Sequence, residues 1–210
     1  MLHDILQIDS SSLSLELSHV VGVVDRLHRL PKIVAFPVRL NKSRLQEGAY
    51  ISTSNPPRPQ RIEISVYARY PGWTLLHELG HLIDHVVLNP IKRGFASEHD
   101  SAFDPLRVCW QANRMIRKLR SLSVRKRAIP PAHFRKFLAY QLKPYELWAR
   151  TYAQWVTSKS GDILLRSHLG SMQIQQRSSF ENATEYAWDD QEFDAIIPVV
   201  DELFKQAGFL

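Results

Sequence analysis

Apolar residues recur at helical spacing in several stretches of the chain, with polar residues between them. This spacing predicts amphipathic helices that each bury one face. Prolines, glycines and small polar residues mark the helix ends, and Pro198 is expected to bend the last helix. The predicted helices cover 12–30, 71–88, 104–122, 130–142, 144–160 and 191–206. Residues 162–190 show no clear period and predict a mixture of turns and short helix.

Three shorter stretches in the first third of the chain predict β-strands, at 32–39, 49–53 and 61–67. The proline-rich linker 54–59 joins the second and third strands as a loose hairpin. The third strand alternates apolar and polar side chains. It is expected to be either an edge strand, against which an extended peptide could pair, or an ordinary core strand. The predicted fold class is α+β, with a small early β-sheet with an edge strand packed on a mainly helical body.

Length and composition are typical of a folded globular protein. The 210 residues, 44% of them apolar, are enough for a single domain spanning 1–210. No run of about 18 apolar residues and no basic-then-apolar leader is present, so a cytoplasmic location without a membrane span is expected. The single cysteine, Cys109, excludes an internal disulfide and a cysteine-based metal site. Any metal must therefore be bound by histidines and carboxylates.

One motif in the predicted helix 71–88 carries chemistry: His77-Glu78-Leu79-Gly80-His81. Side chains four positions apart lie on one helix face, about 6 Å apart along the axis. His77 and His81 can therefore bind one metal ion, and Glu78 can hold a metal-activated water. Gly80 costs roughly 1 kcal/mol of helix stability relative to alanine, which suggests that another helix packs closely there.

A catalytic zinc site of this kind needs a third protein ligand. Helix geometry excludes His85, which lies about 12 Å along the axis from His77. Asp84, one turn after His81, is better placed to orient a ligand imidazole than to bind the metal itself. The third ligand is therefore expected from another element.

Glu146 is the favoured third ligand. It lies near the start of the predicted helix 144–160, and the small residues Ala149 and Ala153 would let that helix pack against Gly80. Two helices would then hold the metal between them. The remaining candidates for the third ligand are His99, Asp100 and His133.

The segment from His77 to Asp84, followed later by Glu146-Leu147-Trp148-Ala149-Arg150, resembles the gluzincin type of zinc metallopeptidase. The closest resemblance is to the catalytic domain of anthrax lethal factor and its relatives among bacterial toxins and phage or mobile-element proteins. In that group HExGHxxD supplies two histidine ligands and the catalytic glutamate, and a later E-F/L-x-A helix supplies the glutamate ligand. The resemblance implies a zincin-like domain, with its metal core at about 60–155 and a C-terminal helical closure at 162–210.

The resemblance also implies one Zn²⁺ ion bound by His77, His81 and Glu146, with Glu78 as the catalytic base. The implied activity is that of a zinc metalloendopeptidase acting on a protein or peptide substrate. Zinc lowers the pKa of a bound water, Glu78 takes the proton, and the substrate carbonyl is attacked. An intact Glu78 argues against a zinc-stabilised interaction domain, because a structural site needs no base.

A tyrosine before the glutamate ligand stabilises the oxyanion in that group. Tyr140 is the nearest match in this chain, although its offset from Glu146 is not the family's own. Tyr145 and Tyr152 are therefore alternatives.

Positive charge is concentrated in one block of the chain. The net charge is +6, and residues 105–145 hold eleven lysines and arginines and no acidic residue. Such a block favours nucleic acid or another acidic partner, although a solvated helix face has the same pattern. Few aromatic residues lie between the cations, which argues against stacking on single strands. The alternative function is a nucleic-acid-associated protein, with a peptidase site that is accessory or acts on DNA-bound proteins.

Overall fold

A four-stranded mixed sheet forms the N-terminal part of the protein, and most of the remainder is helical. The computed structural model describes residues 2–8, 13–31, 35–54, 57–89, 94–124, 132–178 and 187–210. The strands are β1 (Leu6–Ile8), β2 (Phe36–Asn41), β3 (Gly48–Ser54) and β4 (Pro57–Ser65), in the spatial order β1-β2-β4-β3. The α+β prediction and the hairpin of β3 and β4 are therefore confirmed.

Of the two alternatives predicted for residues 61–67, the structure shows the core strand. β4 pairs in parallel with β2 on one side and antiparallel with β3 on the other, so it is a central strand. The edge on this side of the sheet belongs to β3. Strand β1 was not predicted, because three residues are too few to show an alternating pattern. Residues 32–34 of the first predicted strand lie outside the described ranges.

In the middle of the chain, helices begin and end at the predicted prolines and glycine. Pro71 and Pro144 each begin a helix, and Gly161 ends one with a positive φ of 65°. A π-helical turn, Ile83–Val87, continues α2. The helices are α1 (Ser14–Leu27), α2 (Pro71–Leu82), α3 (Ala96–His99), α4 (Asp104–Ala112), α5 (Arg114–Val124), α6 (Ala132–Gln141), α7 (Pro144–Ser160), α8 (Ile163–Ser178), α9 (Asp190–Phe193) and α10 (Ile197–Gln206).

Three helix predictions were wrong in detail. The predicted helix 104–122 is broken at Asn113, whose Oδ1 accepts hydrogen bonds from the next helix at Met115 N (2.8 Å) and Ile116 N (3.3 Å). Most of the segment expected as turns is the single helix α8. Pro198 lies in the first turn of α10 and does not bend a longer helix.

Helices α2 and α7 pack against each other at the centre of the protein, and α2 also contacts β3, β4 and α1. The core around α7 is rich in large aromatic side chains, among them Trp148, Tyr152, Trp155 and Phe204. Among the described residues, no helix combines the length and the hydropathy needed to cross a membrane.

His28 is part of this aromatic core. Its Nε2 lies 2.9 Å from the Tyr152 hydroxyl, and its ring stacks on Phe204 with a centroid distance of 5.0 Å. Burial lowers the pKa of His28 to about 4, against a smaller opposing effect of Asp25.

Acidification from pH 7 to pH 4 should therefore lower the free energy of unfolding. In this window the unfolded chain protonates His28, whose ordinary pKa is 6.5, whereas the folded protein keeps it neutral until about pH 4. The separation of the two pKa values corresponds to roughly 3 kcal/mol. Chemical denaturation at several pH values measures this loss, and His28→Gln should remove it. The same pH dependence in both proteins would show that His28 is not its source.

Candidate metal centre

Helix α2 brings His77 and His81 together on one face, with ring centroids 4.9 Å apart. Its other faces are held by the core, because Leu75, Leu76 and Leu79 are fully buried. The two imidazoles are themselves largely buried, with 13% and 7% of their side-chain surfaces exposed. A helix fixed on its other faces leaves both rings little freedom to separate.

Helix α7 places Glu146 opposite the two rings. His77 Nε2 lies 3.4 Å from Glu146 Oε2, and His81 Nε2 lies 3.3 Å from Oε1. One possible ligand atom from each residue lies within 4.8 Å of the other two. These three residues are called the His-His-Glu cluster below.

The His-His-Glu cluster offers the ligand groups of a metal site. The two nitrogen-to-oxygen distances end on different carboxylate oxygens of Glu146, so the carboxylate spans the two imidazoles. Ligand atoms that all lie within 4.8 Å of one another can surround a single metal ion. Glu146 Oε1 is also buried and has no hydrogen-bond partner among the described residues. Burial opposes ionisation of Glu146, but its interactions with His77 and His81 outweigh burial and hold its pKa well below the usual range.

A close contact between α2 and α7 sets the distance across the cluster. A Cβ atom on Gly80 would lie 2.8 Å from Ala149 Cα and 3.2 Å from its carbonyl oxygen. The Trp148 indole also donates to the Gly80 carbonyl oxygen at 2.9 Å. The expectation that the helix of Glu146 packs closely against Gly80 is confirmed.

Gly80→Ala should destabilise the protein by roughly 1–3 kcal/mol, because the new methyl group would overlap the backbone of α7. This loss would exceed the gain of about 1 kcal/mol that alanine brings to a helix interior. Gly170→Ala in α8 is the matched control, since a Cβ there has no neighbour within 4 Å. It should stabilise the protein. Denaturant unfolding measures the free energy of unfolding of both variants. Equal changes in this free energy would mean that Gly80 is not a packing position.

Glu78 lies beside the cluster and is 6% exposed. The Tyr50 backbone in β3 lies next to the Glu78 carboxylate and favours the ionised form. Burial raises the pKa of Glu78, although His77 and His81 favour the ionised form. The carboxylate is thus held between the cluster and the edge strand, and its affinity for a proton is increased.

These groups line a cleft of about 690 Å³. One wall is β3, where Glu47 accepts the β4 hydrogen bond from Ser65. Successive residues of an antiparallel strand alternate between pairs that hydrogen-bond to the partner strand and pairs that do not. The backbone N–H and C=O groups of Gly48 and Tyr50 therefore point away from β4. The opposite wall carries Phe95 and side chains from α6 and α7, namely Phe137, Tyr140, Gln141, Tyr145 and Arg150. The cleft can hold an extended chain between a strand edge and an aromatic wall.

Two of the three candidate tyrosines line this cleft. The Tyr140 hydroxyl lies near the Glu146 carboxylate, and burial together with the charge of Glu146 raises the pKa of Tyr140. Tyr145 stacks on Phe95, with a centroid distance of 4.7 Å. Tyr152 is fully buried and its hydroxyl contacts His28, so the structure places it away from the site.

Asp84 does not orient a ligand imidazole by hydrogen bonding. Its oxygens accept from Ser97 N at 2.7 Å and Ser97 Oγ at 2.5 Å. Among the described residues, His81 Nδ1 has no hydrogen-bond partner. Burial raises the pKa of Asp84 to about 7, against the effect of the Ser97 bonds. Asp84 thus ties the π-helical turn to α3, and a role in orienting a ligand imidazole through its charge beside His81 stays a prediction.

Of the other ligand candidates, those whose side chains the structure describes lie outside the His-His-Glu cluster. His85 Nδ1 is 2.7 Å from the Tyr50 hydroxyl. Asp100 accepts from Ala102 N at the start of a 3₁₀ turn, and the ring of His99 is mostly exposed. The side chain of His133 falls outside the described residues.

The basic block lies partly on the exposed face of α5. The opposite face of this helix, with Met115, Ile116 and Leu119, is buried in the core. The exposed cations on this helix are Arg114, Arg117, Lys118 and Arg120. Arg125, Lys126 and Arg127 lie outside the described ranges, and binding of an acidic partner stays a prediction.

Sequence reasoning missed Tyr50 and Arg150. Tyr50 reaches both Glu78 and His85 from the edge strand, but its position depends on strand pairing, which leaves no local sequence signal. Arg150 is 1% exposed and lies in the cleft wall. The available signal was its position among the apolar residues of the predicted helix 144–160. An arginine buried there needs specific hydrogen-bond acceptors.

Comparison with known proteins gives no relative for this chain. No protein-family model, no curated protein and no solved structure matches it.

Proposed function

We propose that this protein is a zinc-dependent metallopeptidase of the gluzincin type with a zincin-like fold. The observation that carries the proposal is the convergence of His77, His81 and Glu146, whose possible ligand atoms all lie within 4.8 Å of one another. Two histidines and one carboxylate leave a fourth position for water or substrate, as in catalytic rather than structural zinc sites. Peptide-bond hydrolysis is favoured by Glu78 and by the strand edge beside it.

Each residue of the cleft has a distinct task in this mechanism. A zinc ion bound at the cluster supplies a Lewis acid and lowers the pKa of water. Glu78 would accept the proton of the attacking water and pass it on to the leaving amine. Tyr140 is positioned to donate a hydrogen bond to the developing oxyanion, with Tyr145 as the alternative.

The outward backbone groups of Gly48 and Tyr50 support an extended peptide as substrate. A peptide that pairs with a strand edge presents its own N–H and C=O groups at regular spacing. Pairing with β3 would bring one scissile carbonyl to the cluster and leave side chains alternately facing the aromatic wall. The peptide-pairing role that the sequence left open for residues 61–67 is thus proposed for β3.

A proteomic screen for new protein N-termini tests the proposal. Zinc-loaded wild-type protein and Glu78→Gln protein are incubated with the same denatured proteome. New termini that appear only with the wild type, and that a chelator prevents, are the expected result. A wild type that contains zinc but produces no such termini would refute peptidase activity while leaving the metal centre intact.

Gly48→Ala should lower hydrolysis about 10- to 100-fold while zinc binding is kept, because small displacements of a reacting group have effects of this size. The added Cβ would lie 2.8 Å from Glu78 Oε1 and would also meet the Thr74 side chain. Cleavage of a substrate found in the screen gives the rate, and Gly170→Ala serves again as control. An unchanged rate would mean that β3 does not position Glu78.

A further inference from the structure

Arg150 is a buried cation in the wall of the cleft that the mechanism above does not use. Its side chain is 1% exposed. Nε donates to the Glu146 carbonyl oxygen at 3.0 Å, and Nη2 donates to the Gln141 carbonyl oxygen. A guanidinium removed from water costs several kcal/mol unless its donors are satisfied. These backbone acceptors therefore fix where the side chain can lie.

The two carbonyl groups belong to different helices. Gln141 is the last residue of α6, where carbonyl groups lack partners within the helix and attract cations. Glu146 lies in the first turn of α7. The rigid fork of a guanidinium can bond both acceptors at once, which a single ammonium group does far less well. Arg150 thus joins the end of α6 to the start of α7.

This junction carries both Tyr140 and Glu146, whose side chains line the same cleft. Tyr140 directly precedes Gln141, and its hydroxyl lies near the Glu146 carboxylate, which belongs to the next helix. Because the Tyr140 side chain is 46% exposed, packing alone restrains it weakly. The position of its hydroxyl therefore depends on the backbone at the end of α6.

We infer that Arg150 is a positioning residue that holds the Tyr140 hydroxyl at Glu146 by fixing the junction of α6 and α7. This inference rests on the proposed zinc centre, since it assigns Tyr140 as the outer partner of a metal ligand. Outer partners of metal ligands tune metal affinity as well as activity. The role can therefore be measured without a substrate.

A double-mutant cycle read in zinc affinity tests the inference. The dissociation constant is measured by chelator competition for the wild type, Tyr140→Phe, Arg150→Met and the double variant. Tyr140→Phe should weaken zinc binding about 10-fold in the wild-type background. In the Arg150→Met background the same change should cost less than about 2-fold, because the hydroxyl is no longer held at Glu146.

Two further variants keep the test decisive. Arg150→Lys retains the charge but lacks the forked guanidinium. In the Arg150→Lys background, Tyr140→Phe should therefore again change zinc affinity little. This second cycle replaces the first if Arg150→Met does not fold. Arg107→Met is the matched control, because Arg107 also donates to a backbone carbonyl, that of Ser97, away from the cluster. In that background Tyr140→Phe should keep its full effect.

Equal effects of Tyr140→Phe with and without Arg150 would overturn the positioning role and leave the zinc centre standing. Unchanged zinc affinity in Arg150→Met would do the same. A wild-type protein that binds no zinc would overturn the metal centre itself, together with the role of Arg150.

Discussion

Replacing His77 or His81 with alanine should reduce the zinc content of the purified protein from about one ion per chain to almost none. Each change removes one of the three residues whose ligand atoms lie within 4.8 Å of one another. Two remaining protein ligands bind zinc too weakly to retain it through purification. Glu146→Ala should weaken zinc binding by more than about 100-fold, since even outer partners of a ligand can contribute that much.

The matched control for these variants is His85→Ala. His85 lies on the π-helical continuation of the same helix, but it contacts Tyr50 and is not part of the cluster. It should keep full zinc content. Elemental analysis measures the metal, and circular dichroism shows that each variant is folded. Full zinc content in a folded His77→Ala/His81→Ala double variant would rule out the proposed site.

Glu78→Gln should keep the fold and the zinc ion but lower the rate of hydrolysis by about 100- to 10,000-fold. Glutamine has nearly the shape of glutamate, and Glu78 is not one of the three ligand residues. Its amide cannot accept a proton from the attacking water, so the general-base step is lost. The turnover number on a substrate from the terminus screen is the quantity to compare.

Glu47→Gln provides the comparison within the same cleft. Glu47 is a lining residue with its own raised pKa, caused mainly by burial and opposed by Arg69. It lies outside the His-His-Glu cluster, so its amide variant should retain most of the activity. If Glu78→Gln cleaved the substrate at the wild-type rate, Glu78 would not be the base and the mechanism proposed above would fail.

Local sequence signals predicted the helices that build the site. Pro71 and Pro144 begin α2 and α7, and Gly161 ends α7, because these residues act on their own backbone and need no distant partner. The glycine inside α2 predicted a close helix contact for a similar reason, since its cost in helix stability requires a compensating gain. That reasoning also led from Gly80 to Ala149 and so to Glu146.

Features that depend on distant pairing could not be read from the sequence. The alternating pattern of residues 61–67 predicts a strand but not its neighbours. β4 is central because β2 pairs with it, although β3 lies between β2 and β4 in the sequence. The Asp84–Ser97 bonds and the contact between Tyr50 and Glu78 likewise join elements that have no fixed sequence relation. For Asp84, helix spacing indicated proximity to His81, but the choice of hydrogen-bond partner was decided by α3.

The free edge of β3 also affects colloidal behaviour. An exposed strand edge offers unpaired N–H and C=O groups to the sheets of other molecules and promotes aggregation. Here the edge lies inside a cleft whose far wall includes Tyr140 and Tyr145, and the β3–β4 register is interrupted between Ile51 and Ser52. This enclosure and the interrupted register leave the edge less accessible to a second sheet, which is expected to oppose edge-to-edge self-association.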